Sequence, residues 1–123
     1  MPLAEEKITS RYSISAYTSN DITVNEKQYQ QSLILAPNKL ISPSPINSLD
    51  DLNEHTLQTV LDLNPDVVLL GTGVKQIFPE PRIFALLGEK GIGMEVMNTG
   101  ALCRTFNILV AEDRDVVAVI IQD

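Results

Sequence analysis

The sequence predicts an α/β fold, and three observations carry that prediction. The first third consists of short alternating or apolar runs broken by turn residues, which is antiparallel β grammar. From residue 66 onward, all-apolar runs too short for helices alternate with stretches of helical period, as in parallel α/β architecture. Helix caps and Pro/Gly stops fall at the joints between them. With 123 residues, the chain is expected to be a single domain over 1–123 with one core.

The elements follow in order. Residues 1–7 are polar and are expected to form a loose tail. In RYSISAYT, Tyr12, Ile14 and Ala16 alternate with Arg11, Ser13 and Ser15, a strand with one covered side. Asn20-Asp21 and Asn25-Glu26 supply turns around a short strand Ile22 to Val24. SLILAP reads as a more buried strand stopped by Pro37, and KLISP as another stopped by Pro43. A helix then begins at one of two caps. Ser48 has Asp51 three residues on, but Asn53 is the better N-cap, because Leu52 and Leu57 then occupy the N′ and N4 positions of a hydrophobic staple. Leu57, Val60 and Leu61 make its buried stripe, and Asn64-Pro65 ends it.

DVVLLG is apolar on both sides, the mark of a strand covered on both faces. EPRIFALLGEKG is a helix with Pro81 in its first turn and Gly91 as its stop. IGMEVM is a strand. NTGALCRTFNILVAED is a helix capped by Asn98 or Thr99, and VVAVII closes the series as a buried strand.

Composition narrows function. Sixteen acids against nine bases give a formal charge of −7. No Lys/Arg cluster is present to displace counterions from a phosphate backbone, so nucleic acid is not expected as a partner. Anionic membrane surfaces are disfavoured for the same reason. One cysteine and one histidine exclude an intrachain disulfide and leave almost no room for a Cys/His zinc site or a Ser/His/Asp set. No cofactor is expected. The start MPLAEEKITS has neither basic nor apolar signal regions, and no apolar run approaches a membrane span. The expected location is the cytoplasm.

Two loops draw attention. If the strands at 66–70 and 92–97 are parallel neighbours joined by a right-handed crossover, Gly71-Thr72-Gly73 stands beside Asn98-Thr99-Gly100. Ligands in open α/β sheets bind outside such strand ends, and a helix N-terminus favours anions. Arg104, one turn on, lies opposite the core side marked by Leu102, Phe106 and Leu109. Backbone N–H groups, two threonine hydroxyls and one guanidinium would make an anion pocket. Against this, GTG matches neither GxGxxG nor the GxxxxGK[ST] phosphate loop, and glycines after a strand more often serve turns. Cys103 reads as a buried thiol, His55 as a surface residue without a partner, and Asp50-Asp51 as first-turn acids. Glu112 could orient Arg104 or Arg114.

The stretches NPDVVLLGTG, Phe78, GIGMEVMNTGALCRTFNILVAEDR and VVAVII resemble a family of unknown function often called the MTH-type domain. The mitochondrial complex I assembly factor three looks like a relative. The match runs from Ser10 to Ile121. The resemblance implies a single three-layer α/β domain: a mixed central sheet, a second small β layer, and helices on the other face. Its glycines fall on Gly71 and Gly73, with Thr72 between. Its polar set falls on Thr99, Arg104, Thr105, Asn107, Glu112 and Arg114. Asp113 stands where the family is expected to carry a small residue, often glycine. Without a mitochondrial presequence, the chain resembles the compact prokaryotic form.

The function expected is a non-enzymatic protein-interaction or complex-assembly module. Its candidate surface is Gly71, Thr72, Gly73, Phe78, Thr99, Gly100, Arg104 and Asn107, with another protein as partner. The alternative is a small-anion or small-molecule binder, with or without enzymatic activity, using the same edge. A third possibility is self-association, with VVAVII pairing at an open sheet edge. Oligomeric state is left open.

Overall fold

The computed structural model describes residues 11–122; the tail expected at residues 1–7 lies outside them. Among the described residues, eight strands form two sheets. The smaller holds β1 (Ile14–Tyr17), β2 (Ile22–Val24) and β3 (Lys27–Tyr29), all antiparallel. The larger has the order β5-β4-β8-β6-β7, built from β4 (Leu33–Ala36), β5 (Lys39–Ile41), β6 (Val67–Gly71), β7 (Gly93–Met97) and β8 (Val116–Ile120). In it β6 runs parallel to both β7 and β8, while β4 runs antiparallel to β8 and β5. The sheet is therefore mixed, and the fold is α/β as predicted.

Period-two alternation divides the core in two. Ile34, Val68, Leu70, Val117 and Val119 face one side, where helices α1 (Glu54–Leu61) and α2 (Pro81–Gly88) lay down Leu57, Val60, Ile83 and Leu87. Leu33, Leu35, Leu69, Val116, Ala118 and Ile120 face the other. There Leu102, Cys103, Phe106 and Val110 of helix α3 (Thr99–Ala111) meet Ile14, Ile22 and Val24 of the small sheet. Helices α1 and α2 thus lie opposite the small β layer, and α3 joins it.

Local chemistry explains the joints. Asn53 caps α1 in a capping box with Thr56, and the staple residues Leu52 and Leu57 are buried in one cluster. Ser48 starts only a 3-10 turn, Leu49–Asp51, without a side-chain cap bond. Pro81 opens α2.

Three expectations change. Ala16 is exposed because a bulge between Ile14 and Ala16 shifts the register of β1 against β2. Asn25 and Glu26, at φ 45° and 78°, make a tight hairpin that pairs an unforeseen strand, β3, with β2. Finally, VVAVII is not at an edge. β8 is the middle strand of the large sheet, flanked by β4 and β6, so its backbone is already paired and the self-association route through it closes.

Candidate functional site

The C-terminal ends of β6 and β7 do lie side by side. Thr72 N–H donates to the Met97 carbonyl (3.1 Å), and Thr99 N–H donates to the Gly73 carbonyl (2.8 Å). The two glycines have separate structural reasons. A Cβ on Gly71 would stand 2.8 Å from Leu102 Cδ1, so glycine lets α3 settle onto the end of β6. Gly73 sits at φ +94° with open space around it, and there glycine serves backbone conformation alone.

The polar groups read as an anion pocket do not converge. The Thr72 hydroxyl donates to the Lys75 carbonyl and accepts from Ile77 N–H. Asn98 accepts from Ala101 N–H (2.9 Å) and so occupies a donor at the start of α3. Tyr17 roofs the same turn: a Cβ on Gly100 would meet its hydroxyl at 2.5 Å. Thr99, Thr72 and Arg104 border three different hollows. Thr99 lines a cleft of about 300 Å³ with Tyr17, Gly73, Val74 and Gly100. Thr72 borders a second hollow with Ser48, Asp50 and Ile77. Arg104 borders a third, along β1.

Asn107 is spent on structure. Its carboxamide accepts from Ile14 N–H and donates to the Ile14 carbonyl, both at 2.8 Å. The side chain thereby pairs with β1 as a neighbouring strand would. Arg104 is exposed. Among the described residues, Glu112 forms no ion pair with Arg104 or Arg114. Among the described residues, the ion pairs are Arg11–Asp113, Arg82–Glu80 and Arg114–Asp66. Cys103 is buried, and burial pushes its thiol up to about 11, against the pull of the Arg104 guanidinium. Burial thus favours the protonated thiol over the reactive thiolate. His55 lies exposed on α1.

What the edge does display is apolar. In the loop between β6 and α2, Val74 is 72% exposed, Phe78 64% and Ile77 49%; Tyr17, across the cleft, is 45% exposed. The exposure of Phe78 agrees with the sequence reading, whereas Val74 and Ile77 were not foreseen. The loop is braced from several sides. Thr72 ties its first turn, Gln76 Nε2 donates to the Val96 carbonyl at 2.8 Å, and Pro79 is buried. Three large apolar side chains are therefore held out on a fixed backbone, at little ordering cost to a partner.

Comparisons with known proteins agree with the fold. A family described as "Protein of unknown function (DUF498/DUF598)" matches residues 14–121. The chain is similar to an NMR structure of a Xanthomonas campestris protein, 40% identical with a TM-score of 0.86, covering 98% of this chain and 92% of that one. It is 30% identical over 122 residues to the 13 kDa major membrane protein of Francisella tularensis, covering 98% of this chain and 99% of that protein. It is also 30% identical over 110 residues to NADH dehydrogenase (ubiquinone) 1 alpha subcomplex assembly factor 3 of Xenopus tropicalis, covering 88% of this chain but only 60% of that protein. The chain thus spans less than two thirds of the assembly factor's length. Among the described residues, no helix is long and apolar enough to cross a membrane.

Proposed function

The chain belongs to the DUF498/DUF598 family of unknown function, the MTH-type family its second half resembles, and from that premise we propose that it is a protein-interaction module serving the assembly of a larger complex. The observation that carries this reading is the braced loop with Val74, Ile77 and Phe78 exposed. Large apolar side chains gathered on one exposed loop mark a surface awaiting cover. Similarity to an assembly factor of NADH dehydrogenase supports a protein as the partner.

The same edge offers less to a small anion. Its threonine and asparagine groups serve the loop and the helix start, and Arg104 stands apart from them. We place the chain in the cytoplasm with another protein as its partner, although one relative is named as a membrane protein.

The test is crosslinking and affinity capture from native lysate, wild type against Phe78→Asp, with Lys39→Glu as a surface control. Phe78→Asp changes stability by less than about 0.5 kcal/mol and costs the complex about 2 kcal/mol or more. A partner retained equally by all three proteins removes the loop from the interface.

A further inference from the structure

Resting on the loop-edge reading above, we infer that the partner surface is an apolar pocket with an acidic rim, met by Lys75 and Arg104. The argument is the distribution of charge. The chain carries a formal −7, yet around Val74 and Tyr17 its candidate edge has no acid in its lining. From Thr72 to Pro79 the only charged residue is Lys75. The cleft between Tyr17 and Gly100 has no charged residue in its lining, and the groove running on along β1 has Arg104 alone.

Arg104 is also set apart from the other arginines described. Arg11, Arg82 and Arg114 each hold a carboxylate, whereas among the described residues no ion pair forms at Arg104. Two acids border the loop: Asp50 shares the hollow on its Ile77 side, and exposed Glu80, two residues after Phe78, is paired with Arg82; neither lines the Tyr17 cleft. An acidic protein with cations and bare apolar groups along one edge repels an acidic partner less there than across its acid-rich faces. Such a surface sets orientation as well as contact, because like charges disfavour every other approach. An anionic bilayer would offer the same two chemistries. Two cations do not outweigh the repulsion of the acidic body, whereas a pocket with a few placed carboxylates meets them at short range.

The experiment uses a phage-displayed library of random 16-residue peptides, selected on the full chain and counter-selected on Phe78→Asp. Enriched peptides should pair aromatic or aliphatic residues with several Asp or Glu. A synthetic peptide of that sequence should bind Lys75→Glu/Arg104→Glu at least about tenfold more weakly, and binding should fall with added salt. Unchanged melting curves establish that both variants are folded. Enriched peptides without acids, or binding unaffected by the double reversal, overturn the acidic rim and leave the loop edge standing. No enrichment over Phe78→Asp overturns both. Binding to phosphatidylserine/phosphatidylcholine vesicles that the double reversal abolishes, with no acidic peptide selected, assigns the edge to lipid and overturns the inference.

Discussion

The two ends of the large sheet are finished in opposite ways. At the end where β6 and β8 begin, charges close on one another. Arg11 reaches both Asp113 and the Val110 carbonyl at the end of α3, and Arg114 meets Asp66. Asp66 N–H donates to the Asp115 carbonyl. At the end where β6 and β7 finish, hydrogen bonds hold the backbone of the loop, but its large side chains are left bare. Both ends hold the residue types that suggest function: arginines and acids at the first, glycines, threonines and an arginine at the second. What separates them is surplus. The first end pairs each of its arginines with an acid, while the second holds apolar groups and cations for which the described chain supplies no cover. Function is therefore argued from what is left over after folding.

Asn107 gives the strongest way to break that comparison. It was a candidate for binding, yet its amide holds both the N–H and the carbonyl of Ile14. Asn107→Leu removes both bonds and strands a donor and an acceptor beside a buried residue. The expected loss is about 2–3 kcal/mol in urea unfolding. A variant of wild-type stability would mean that Asn107 is free to serve a ligand, and the line between spent and surplus groups would have to be redrawn.

Gly71 sharpens the comparison from the loop side. Its missing Cβ makes room for Leu102, which is fully buried and has little freedom to retreat. Gly71→Ala should cost roughly 1–3 kcal/mol by overpacking. Gly100→Ala presses instead on the half-exposed Tyr17 ring, which can swing toward solvent, so it should cost less. If the order of the two reverses on thermal melting, the close approach of α3 to β6 is not what glycine serves at position 71.

These cases also show how far the sequence could be read. The strands and helices of the second half were legible because their signals are local: apolar runs of strand length, Asn caps, Pro81 and Gly91. Asn53 was chosen over Ser48 on the staple alone, and the structure agrees. Ala16 and β3 were misread because a bulge and a hairpin partner depend on pairing between segments. The site was legible by half. The juxtaposition of the two loops followed only on the supposition that the strands at 66–70 and 92–97 are parallel neighbours, and Phe78 was singled out. The direction of each polar side chain did not follow, because it is set by distant partners. Asn107 reaches a strand 93 residues away, and Thr72 turns inward only because the loop closes beneath it. Val74 and Ile77 resemble core residues in sequence, and only tertiary packing leaves them outside.

The smallest expected effect lies at the self-satisfied end. α3 stops in a Schellman motif: Arg114 N–H donates to the Leu109 carbonyl and Asp113 N–H to the Val110 carbonyl. Asp113 takes the left-handed position at φ 61°, where the family resemblance led to the expectation of a small residue, often glycine. The tight end forms with aspartate all the same. Two terms oppose each other on replacement. Asp113→Gly relieves the left-handed backbone, a gain of up to about 1 kcal/mol, and loses an exposed pair with Arg11 worth about 0.2–1 kcal/mol. The net change in unfolding free energy should stay within about 0.5 kcal/mol. Asp113→Asn separates the terms, since asparagine tolerates the same φ but gives up the charge. A loss in Asn that fades in high salt, beside little change in Gly, would show that the ion pair offsets the backbone cost at this end. A clear gain in both would show that Asp113 is kept for something other than closing α3, and this end too would then hold a surplus group.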